Sequence, residues 1–152
     1  MQGDLKGAPL RCSLDGATLA RPGIMVTGEA AGSTYAFTGE GIGKAMETGM
    51  LAARALIDAS AAARAGAANA GTAFDAAHGS YRDGIAALKP RFDLYERANR
   101  VNEYPWLADL LIWRANRSAR ILRRMEGVLE ETGNPGNLVS LRGIAKLFLP
   151  VR

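Results

Sequence analysis

Glycines and a carboxylate stand close together in one short stretch of this sequence. Glu29 follows Gly28 directly, and Gly39 and Gly41 precede Ile42. Glycine leaves the backbone open to a close approach by a ligand. The first amide N–H groups of a helix have no internal partner, and the helix dipole makes them attract negative charge. These residue types therefore predict a ligand-binding site in which bare backbone amides face an electron-rich group.

A strand, a loop and a helix have to position these residues. Residues 24–26 predict a short apolar strand that stops at Thr27, and a loop of small residues follows. A second turn then leads into an alanine-rich helix from Ile42 to about residue 65. Glycine in a helix interior costs up to about 1 kcal/mol, so Gly49 predicts close backbone packing, against the strand at residues 24–26. The face that we expect this helix to bury carries Ala45, Gly49, Ala52 and Leu56.

The run GEAAGSTYAFTGEGIGKAMETGMLAA, which starts at Gly28, resembles the second flavin-contacting motif of FAD-dependent oxidoreductases. Within that group it is most similar to geranylgeranyl reductases, enzymes of lipid biosynthesis that reduce carbon–carbon double bonds of isoprenoid chains. The resemblance implies FAD as cofactor and an isoprenoid lipid as substrate. It places the ribityl hydroxyls at Glu29 and the flavin pyrimidine edge at Gly41 and Ile42. The cofactor-binding residues that it implies are Gly28, Glu29, Ala30, Gly39, Gly41 and Ile42.

Two residues depart from the family pattern. Glu29 stands where the family has aspartate, so the carboxylate is one methylene further from the backbone. Ala36 stands where a proline usually precedes the second turn, which removes a fixed φ angle from the loop. The carboxylate acceptor and the glycines remain, so the chemistry that the resemblance implies is kept.

The fingerprint G-x-G-x-x-G, where such enzymes bind the FAD pyrophosphate, is absent from this sequence. We therefore expect the chain to be the C-terminal part of a larger enzyme, with residues 1–65 from the FAD-binding domain and residues 66–152 as a helical tail. The missing N-terminal FAD-binding segment would be its partner. We expect the isolated chain to bind FAD weakly or not at all and to be inactive. The catalytic residues remain unassigned.

The fold class predicted from the sequence is an α/β fragment. It has short β-strands at the N-terminus, then a strand, a glycine-rich loop and a long helix, then a mostly helical C-terminal region. The early strands are expected at residues 8–14 and 17–19, with turns at Asp15-Gly16 and at residues 21–23. Further helices are expected at residues 74–101, interrupted or kinked at Pro90, at 106–131 and at 138–149.

Composition limits the class of protein. Hydrophobic residues make up 48% of the chain and charged residues 22%, values typical of a globular protein. Cys12 is the single cysteine, which favours a reducing compartment. No run of about 18 apolar residues occurs, and the N-terminus lacks the apolar region of a signal peptide. We therefore expect a cytoplasmic protein. The formal net charge of +4 favours acidic partners without choosing among them.

The amphipathic stretch at 106–131 carries a basic face with three interpretations: a solvated surface, a contact with anionic membrane, or a nucleic-acid site. Nucleic acid is disfavoured because no recognised binding module accompanies the arginines. A peripheral membrane contact would suit an enzyme with an isoprenoid substrate. This face consists of Arg117, Arg120, Arg123 and Arg124. The apolar stripe expected on the other side consists of Leu107, Leu111, Ala115, Ser118, Leu122, Met125 and Leu129, and is widened by Leu110, Ile121 and Val128.

Several other residues admit a functional and a structural interpretation. Glu40 is either a general acid or, as we prefer, a carboxylate attracted to a helix start. His78 is the only histidine and lacks the partners of a metal site. A group of aromatic residues either lines an apolar channel or, as we prefer, belongs to the core: Phe92, Tyr95, Tyr104, Trp106 and Trp113.

Two other functions remain open. A flavin-dependent monooxygenase or a halogenase-like enzyme shares the same type of motif. A helical interaction module that kept the loop but lost its ligand is an alternative of a different class.

Overall fold

A computed structural model describes residues 7–67, 69–136 and 143 of the chain. In this part of the chain a two-stranded antiparallel sheet near the N-terminus precedes long helices, as the sequence predicts. The chain divides into two compact units, one formed by Met1–Thr34 and Glu40–Lys89, the other by Tyr35–Gly39 and Pro90–Arg152. Each unit is described separately below.

The sheet of the first unit is a short hairpin. Strand β1, Ala20–Arg21, pairs antiparallel with β2, Ile24–Met25. Pro22 and Gly23 form the turn, and the φ angle of +81° at Gly23 explains why glycine stands at this position. The N–H of Val26 donates to the carbonyl of Leu19 at 2.8 Å, which extends the pairing by one residue.

The strand predicted at residues 8–14 is reduced to one isolated bridge between Cys12 and Thr34. Ser13 and Leu14 have φ angles of +67° and +57°, which turn the chain away from the extended conformation. Both residues are nevertheless anchored, because their N–H groups donate to Thr34 and Gly32 carbonyls at 3.1 and 2.9 Å. A turn at Ser13 and Leu14 therefore stands where a strand was predicted.

Helix α1, Ile42–Arg64, has the predicted bounds, but its predicted face is only partly buried: Ala52 is buried, whereas Leu56 is exposed. A Cβ atom added at Gly49 would meet nothing within 4 Å, so the expected packing of this glycine against the strand is wrong. Thr48, not Gly49, faces the end of β2, because its hydroxyl bonds Gly28. The buried residues of α1 are Lys44, Thr48, Ala52 and Ala55.

Helix α2, Ala70–Asn99, begins before the predicted residue 74 and continues through Pro90 without interruption. The side chain of Asn69 explains the early start, because its Oδ1 accepts from the N–H of Thr72 at 2.9 Å. Residues 70–89 of this helix belong to the first unit. There it buries a regular stripe formed by Ala73, Ala77, Tyr81 and Ile85.

The second unit has an aromatic cluster and an aliphatic cluster. Tyr35 stacks on Tyr95 with 4.0 Å between ring centroids, and Phe92 packs against Tyr35 at 4.6 Å. The Tyr95 hydroxyl donates to the carbonyl of Val128 at 2.9 Å. The aliphatic cluster consists of Val101, Leu107 and Leu111, with Phe37, Leu110 and Ile121 packed against it.

The single amphipathic helix expected at residues 106–131 is two helices, α3 at Pro105–Ala115 and α4 at Ala119–Leu129. Ser118 is extended (φ −145°, ψ 103°) and separates them, so the predicted stripe is interrupted between the two helices. Leu107, Leu111 and Ala115 are buried as expected, whereas Leu122 and Leu129 are exposed. On α4 the buried residue is Val128, one of the residues expected to widen the stripe.

The preferred core interpretation holds for Phe92 and Tyr95 and is wrong for Tyr104, Trp106 and Trp113, which are about half exposed or more. The short helix expected at residues 138–149 lies outside the described residues, apart from Gly143. Among the described helices, none combines the length and the apolar character needed to cross a bilayer.

Candidate functional site

The end of the hairpin is fixed onto the first turns of α1. After β2 the chain forms a 3-10 helix, Gly28–Ala31. The N–H of Gly28 donates to the hydroxyl of Thr48 at 3.0 Å, and its carbonyl accepts from Ser33 at 3.1 Å. Gly28 has a φ angle of +64°, and a Cβ there would lie 3.2 Å from Cβ of Ala45. Glycine at this position therefore serves both the turn and the contact.

Thr48 is the residue that joins the two elements. Its side chain is fully buried, and its hydroxyl accepts from Gly28 while donating to the carbonyl of Lys44 at 3.0 Å, with the Ala45 carbonyl at 3.1 Å alongside. Back-bonding of this kind leaves no polar atom of the threonine unsatisfied. The distance between strand end and helix start is therefore set by one side chain.

Glu29 occupies the second position of the 3-10 helix and is exposed. Its backbone carbonyl accepts from Gly32, whose φ angle of +73° ends the turn. Among the described residues no hydrogen bond or ion pair engages its carboxylate, so the oxygens can accept hydrogen bonds from outside the chain. The neighbouring Ala30 carbonyl accepts from Arg11 at 3.2 Å.

The start of α1 is also shaped by a glycine. A Cβ at Gly41 would lie 2.8 Å from the hydroxyl of buried Thr34, closer than real Cβ contacts allow. Ile42 is 80% exposed, so the first turn of the helix faces solvent. An exposed helix start with no side-chain cap on Gly41 can donate amide hydrogen bonds to an anionic or electron-rich ligand.

Glu40 bonds the helix start itself. Its Oε1 accepts from the N–H of Gly43 at 2.6 Å, so one amide of the first turn already has a carboxylate partner. This is the preferred interpretation of Glu40 as a carboxylate attracted to a helix start. A ligand that approached this helix would therefore meet the Gly43 amide already engaged.

Five of the six predicted cofactor-binding residues lie in the first unit, on the 3-10 helix and the start of α1. These are Gly28, Glu29, Ala30, Gly41 and Ile42. Gly39 belongs to the segment Tyr35–Gly39 of the other unit, where its N–H donates to the Tyr35 carbonyl at 2.8 Å and its φ angle is +71°.

Sequence reasoning missed four buried polar residues beside the site. Thr48 and Thr34 are described above, and Ser33 is fully buried with an Oγ atom that has no hydrogen-bond partner among the described residues. Lys44, in the first turn of α1, is also buried and pairs with Glu47 at 2.9 Å. A threonine within the predicted alanine-rich helix was the available signal for Thr48.

The residues present fit the ribityl and isoalloxazine part of a flavin. An exposed carboxylate suits polyhydroxyl groups, and an exposed helix start suits an anionic ring edge. Gly41 lies against the buried Thr34 side chain, where a Cβ would not fit.

Elsewhere in the described part of the chain, His78 and Cys12 have structural surroundings. His78 is half-buried and lies edge-on to Phe74, with ring centroids 4.5 Å apart. The Cys12 thiol donates to the Leu10 carbonyl at 3.8 Å. Across the described residues, no three His, Cys, Asp or Glu side chains are grouped so as to hold a metal ion.

Comparisons of this chain with protein-family models, with curated proteins and with solved structures gave no match.

Proposed function

We propose that this chain is the C-terminal portion of an FAD-dependent oxidoreductase similar to geranylgeranyl reductases. The complete enzyme would reduce carbon–carbon double bonds of isoprenoid chains. The observation that carries the proposal is the Gly28–Thr48 hydrogen bond, which holds an exposed carboxylate turn against an uncovered helix start. We call the Gly28–Ala31 turn and the first turns of α1 the junction. The motif resemblance falls on this junction.

Each residue of the junction has a role toward the flavin. The Glu29 carboxylate accepts hydrogen bonds from the ribityl hydroxyls, Gly28 gives the turn that presents it, and Ala30 adds little bulk beside the sugar. Gly41 and Ile42 lie beside the pyrimidine edge, where amides stabilise the negative charge of the reduced ring without reorganisation. Gly39 gives the preceding turn its left-handed conformation. Bound FAD supplies the hydride, and these residues orient the ring that carries it.

The pyrophosphate and adenine of FAD need a second binding segment. This chain has no G-x-G-x-x-G sequence, and that turn is the usual site for the pyrophosphate. We propose that the preceding part of the enzyme supplies it.

Chemical-shift mapping tests the site in the chain itself. We expect riboflavin and FMN to shift the backbone amides of Gly28, Gly41 and Ile42, with a dissociation constant on the order of 1 mM. ADP should leave these amides unchanged, because the adenine and pyrophosphate contacts are absent. The variant Glu29→Ala should weaken riboflavin binding about ten-fold or more, because a hydrogen bond to a charged group is lost.

Asp75→Ala is the matched control, since Asp75 is an exposed carboxylate of the same unit. It should leave the riboflavin shifts intact. Unchanged chemical shifts of the junction amides would refute the flavin site. Tight stoichiometric binding of FAD by this chain alone would refute the proposal that a further segment is needed.

The reaction is tested on the complete coding sequence. We expect the genomic DNA upstream of Met1 to encode, in frame, a strand, a G-x-G-x-x-G turn and a helix. The purified product, reduced without oxygen, should add two hydrogens to a geranylgeranyl double bond. Incorporation of an oxygen or halogen atom would instead identify the monooxygenase or halogenase-like alternative.

One observation favours the interaction-module alternative. Helix α1 exposes a stripe of large apolar side chains, formed by Ile42, Met46, Met50 and Ile57, which is typical of a surface that another protein element covers. A genuine promoter and start at Met1, together with unmoved junction amides, would support that function.

A further inference from the structure

The second unit exposes an unusual set of aromatic and basic side chains. Trp106, Ile112 and Trp113 on α3 are 60%, 53% and 49% exposed. Arg117 follows α3 and three exposed arginines stand on α4. We call this the aromatic–basic surface, and it consists of Trp106, Ile112, Trp113, Arg117, Arg120, Arg123 and Arg124.

Exposure of both tryptophans requires an explanation. Tryptophan is highly buried on average in folded proteins, yet both tryptophans of this chain stand on one helix, seven residues apart, with their side chains in solvent. That spacing puts them on one face of α3. The guanidinium of Arg117 lies 4.3 Å from the Trp113 ring centroid, so a cation is held against the aromatic ring.

The charge of this segment has one sign. The twelve residues from Trp113 to Arg124 include five arginines and no carboxylate. Arg114 is buried, and the other four arginines are exposed. The nearest acidic residues along the chain are Asp109 on α3 and Glu126 on α4, one on each side of the segment.

We propose that the aromatic–basic surface docks on an anionic lipid bilayer. Tryptophan prefers the headgroup level of a membrane, where its ring is apolar and its N–H remains hydrated. Arginine guanidinium groups pair with lipid phosphates, and a basic segment is attracted to an anionic leaflet. The contact is peripheral, because no described helix is suited to cross the bilayer.

Single-stranded nucleic acid also combines phosphates with stacking surfaces. The lipid surface is favoured because apolar side chains are exposed together on α3, where Ile112 is 53% exposed and stands next to Trp113. A bilayer gives such side chains an apolar environment, whereas a nucleic-acid backbone does not. The surface would bring the enzyme proposed above to a lipid substrate, but it does not depend on the flavin site.

Intrinsic fluorescence tests the proposal directly, because both tryptophans belong to the surface. Vesicles of phosphatidylglycerol mixed with phosphatidylcholine should shift tryptophan emission to shorter wavelength and sediment with the protein. Vesicles of phosphatidylcholine alone should bind much more weakly. Raising the salt concentration should release the protein from the anionic vesicles.

Charge variants locate the contact. The triple variant Arg120→Gln/Arg123→Gln/Arg124→Gln should bind anionic vesicles about a hundred-fold more weakly, since each basic residue near such a surface contributes about five-fold. The control triple Arg54→Gln/Arg64→Gln/Arg82→Gln removes the same charge from exposed positions of the first unit. It should change binding by less than about two-fold per residue.

Aromatic variants test the second half of the surface. Trp106→Ala/Trp113→Ala, followed by sedimentation, should reduce vesicle binding while the circular dichroism spectrum is retained, because both side chains are exposed. The proposal is overturned if anionic vesicles do not bind the chain, if the two arginine triples weaken binding equally, or if a single-stranded oligonucleotide binds and vesicles do not. These measurements need no flavin, so a negative result would refute the membrane surface without bearing on the proposed flavin site.

Discussion

The hydroxyl of Thr48 connects two stretches that are 20 residues apart in the chain. It accepts from Gly28 and donates within its own helix, and the side chain has no exposed surface. A buried amide without a partner costs more than an ordinary hydrogen bond contributes. The position of the Glu29 turn on α1 therefore depends on this one oxygen atom.

Replacing Thr48 by valine keeps the shape of the side chain and removes the hydroxyl. We expect the free energy of unfolding to fall by about 1–3 kcal/mol, because the Gly28 N–H is left buried and unpaired. Urea unfolding followed by circular dichroism measures the change. Thr48→Ser keeps the hydroxyl and should lose clearly less, so an equal loss in both variants would contradict the role given to the oxygen.

Gly41 is required by contact and not by its backbone angles, since its φ of −133° is open to any residue. Gly41→Ala should lower the free energy of unfolding by about 1–3 kcal/mol, because the new Cβ would collide with the Thr34 hydroxyl. The double variant Gly41→Ala/Thr34→Ala should recover part of that loss, as a double-mutant cycle would show. Strictly additive losses would contradict the collision.

Burial raises the pKa of the Tyr81 phenol above its ordinary value. The hydroxyl donates to the Val26 carbonyl at 2.6 Å, so the folded state holds the protonated form. A raised folded pKa contributes stability that is complete below the unfolded pKa of about 10 and is lost as the pH rises toward the folded pKa.

The variant Tyr81→Phe should therefore be less stable than the original by about 0.5–1.5 kcal/mol at neutral pH. That difference should shrink above pH of about 10, because only the original loses the protonated phenol. Urea unfolding at a series of pH values measures both. If the difference in stability stayed constant up to high pH, ionisation of the Tyr81 phenol would not be what weakens the original protein.

For helix α1, the bounds were easier to predict than the buried face. The turn before Ile42 and the alanine-rich run determine α1 locally, so its start and end follow from the sequence. The buried face depends on which side chain meets the strand end, and Gly49 suggested the wrong one. The break before α4 had a local signal in Ser118, a residue favoured at helix starts, but continuous apolar spacing concealed it.

The observed face of α1 predicts the effect of filling Gly49. Gly49→Ala should raise the free energy of unfolding by about 0.5–1 kcal/mol, because the new methyl meets no other atom and the helix gains in propensity. Thermal or urea unfolding measures the gain. A loss of stability would place another element against Gly49 and restore the face expected from the sequence.

Over the entire chain, charge is divided unevenly between acids and bases. The formal net charge is +4 and the sequence pI is about 9.6. Arginine side chains stay protonated at a pH equal to this pI. The aromatic–basic surface is therefore still positively charged at the pH at which the net charge of the protein is zero. Average charge and local charge can therefore be separated by pH.

We expect the chain to remain bound to phosphatidylglycerol vesicles at pH 9.6, the value of its sequence pI. Local arginines, not the net charge, would attract the lipid at that pH. Sedimentation at pH 7 and at the pI compares the two conditions. Loss of binding at the pI would mean that the attraction comes from overall charge and not from this surface.

The sequence predicted the fold class better than it predicted the contacts of the candidate site. Helices and the hairpin follow from local patterns, such as the Pro22-Gly23 turn. Contacts between distant residues do not, because Thr34, Thr48 and Tyr81 are defined by their partners and not by their neighbours in sequence.

The hydrogen bond from Tyr81 to Val26 spans 55 residues, and this spacing sets an order of events during synthesis on the ribosome. The hairpin emerges first, and the Val26 carbonyl has no partner until the Tyr81 phenol has also emerged. At about 5–20 residues per second, that delay is on the order of 3–11 s. Throughout this interval the nascent hairpin is accessible to chaperones, and it is completed only after α2 has been translated.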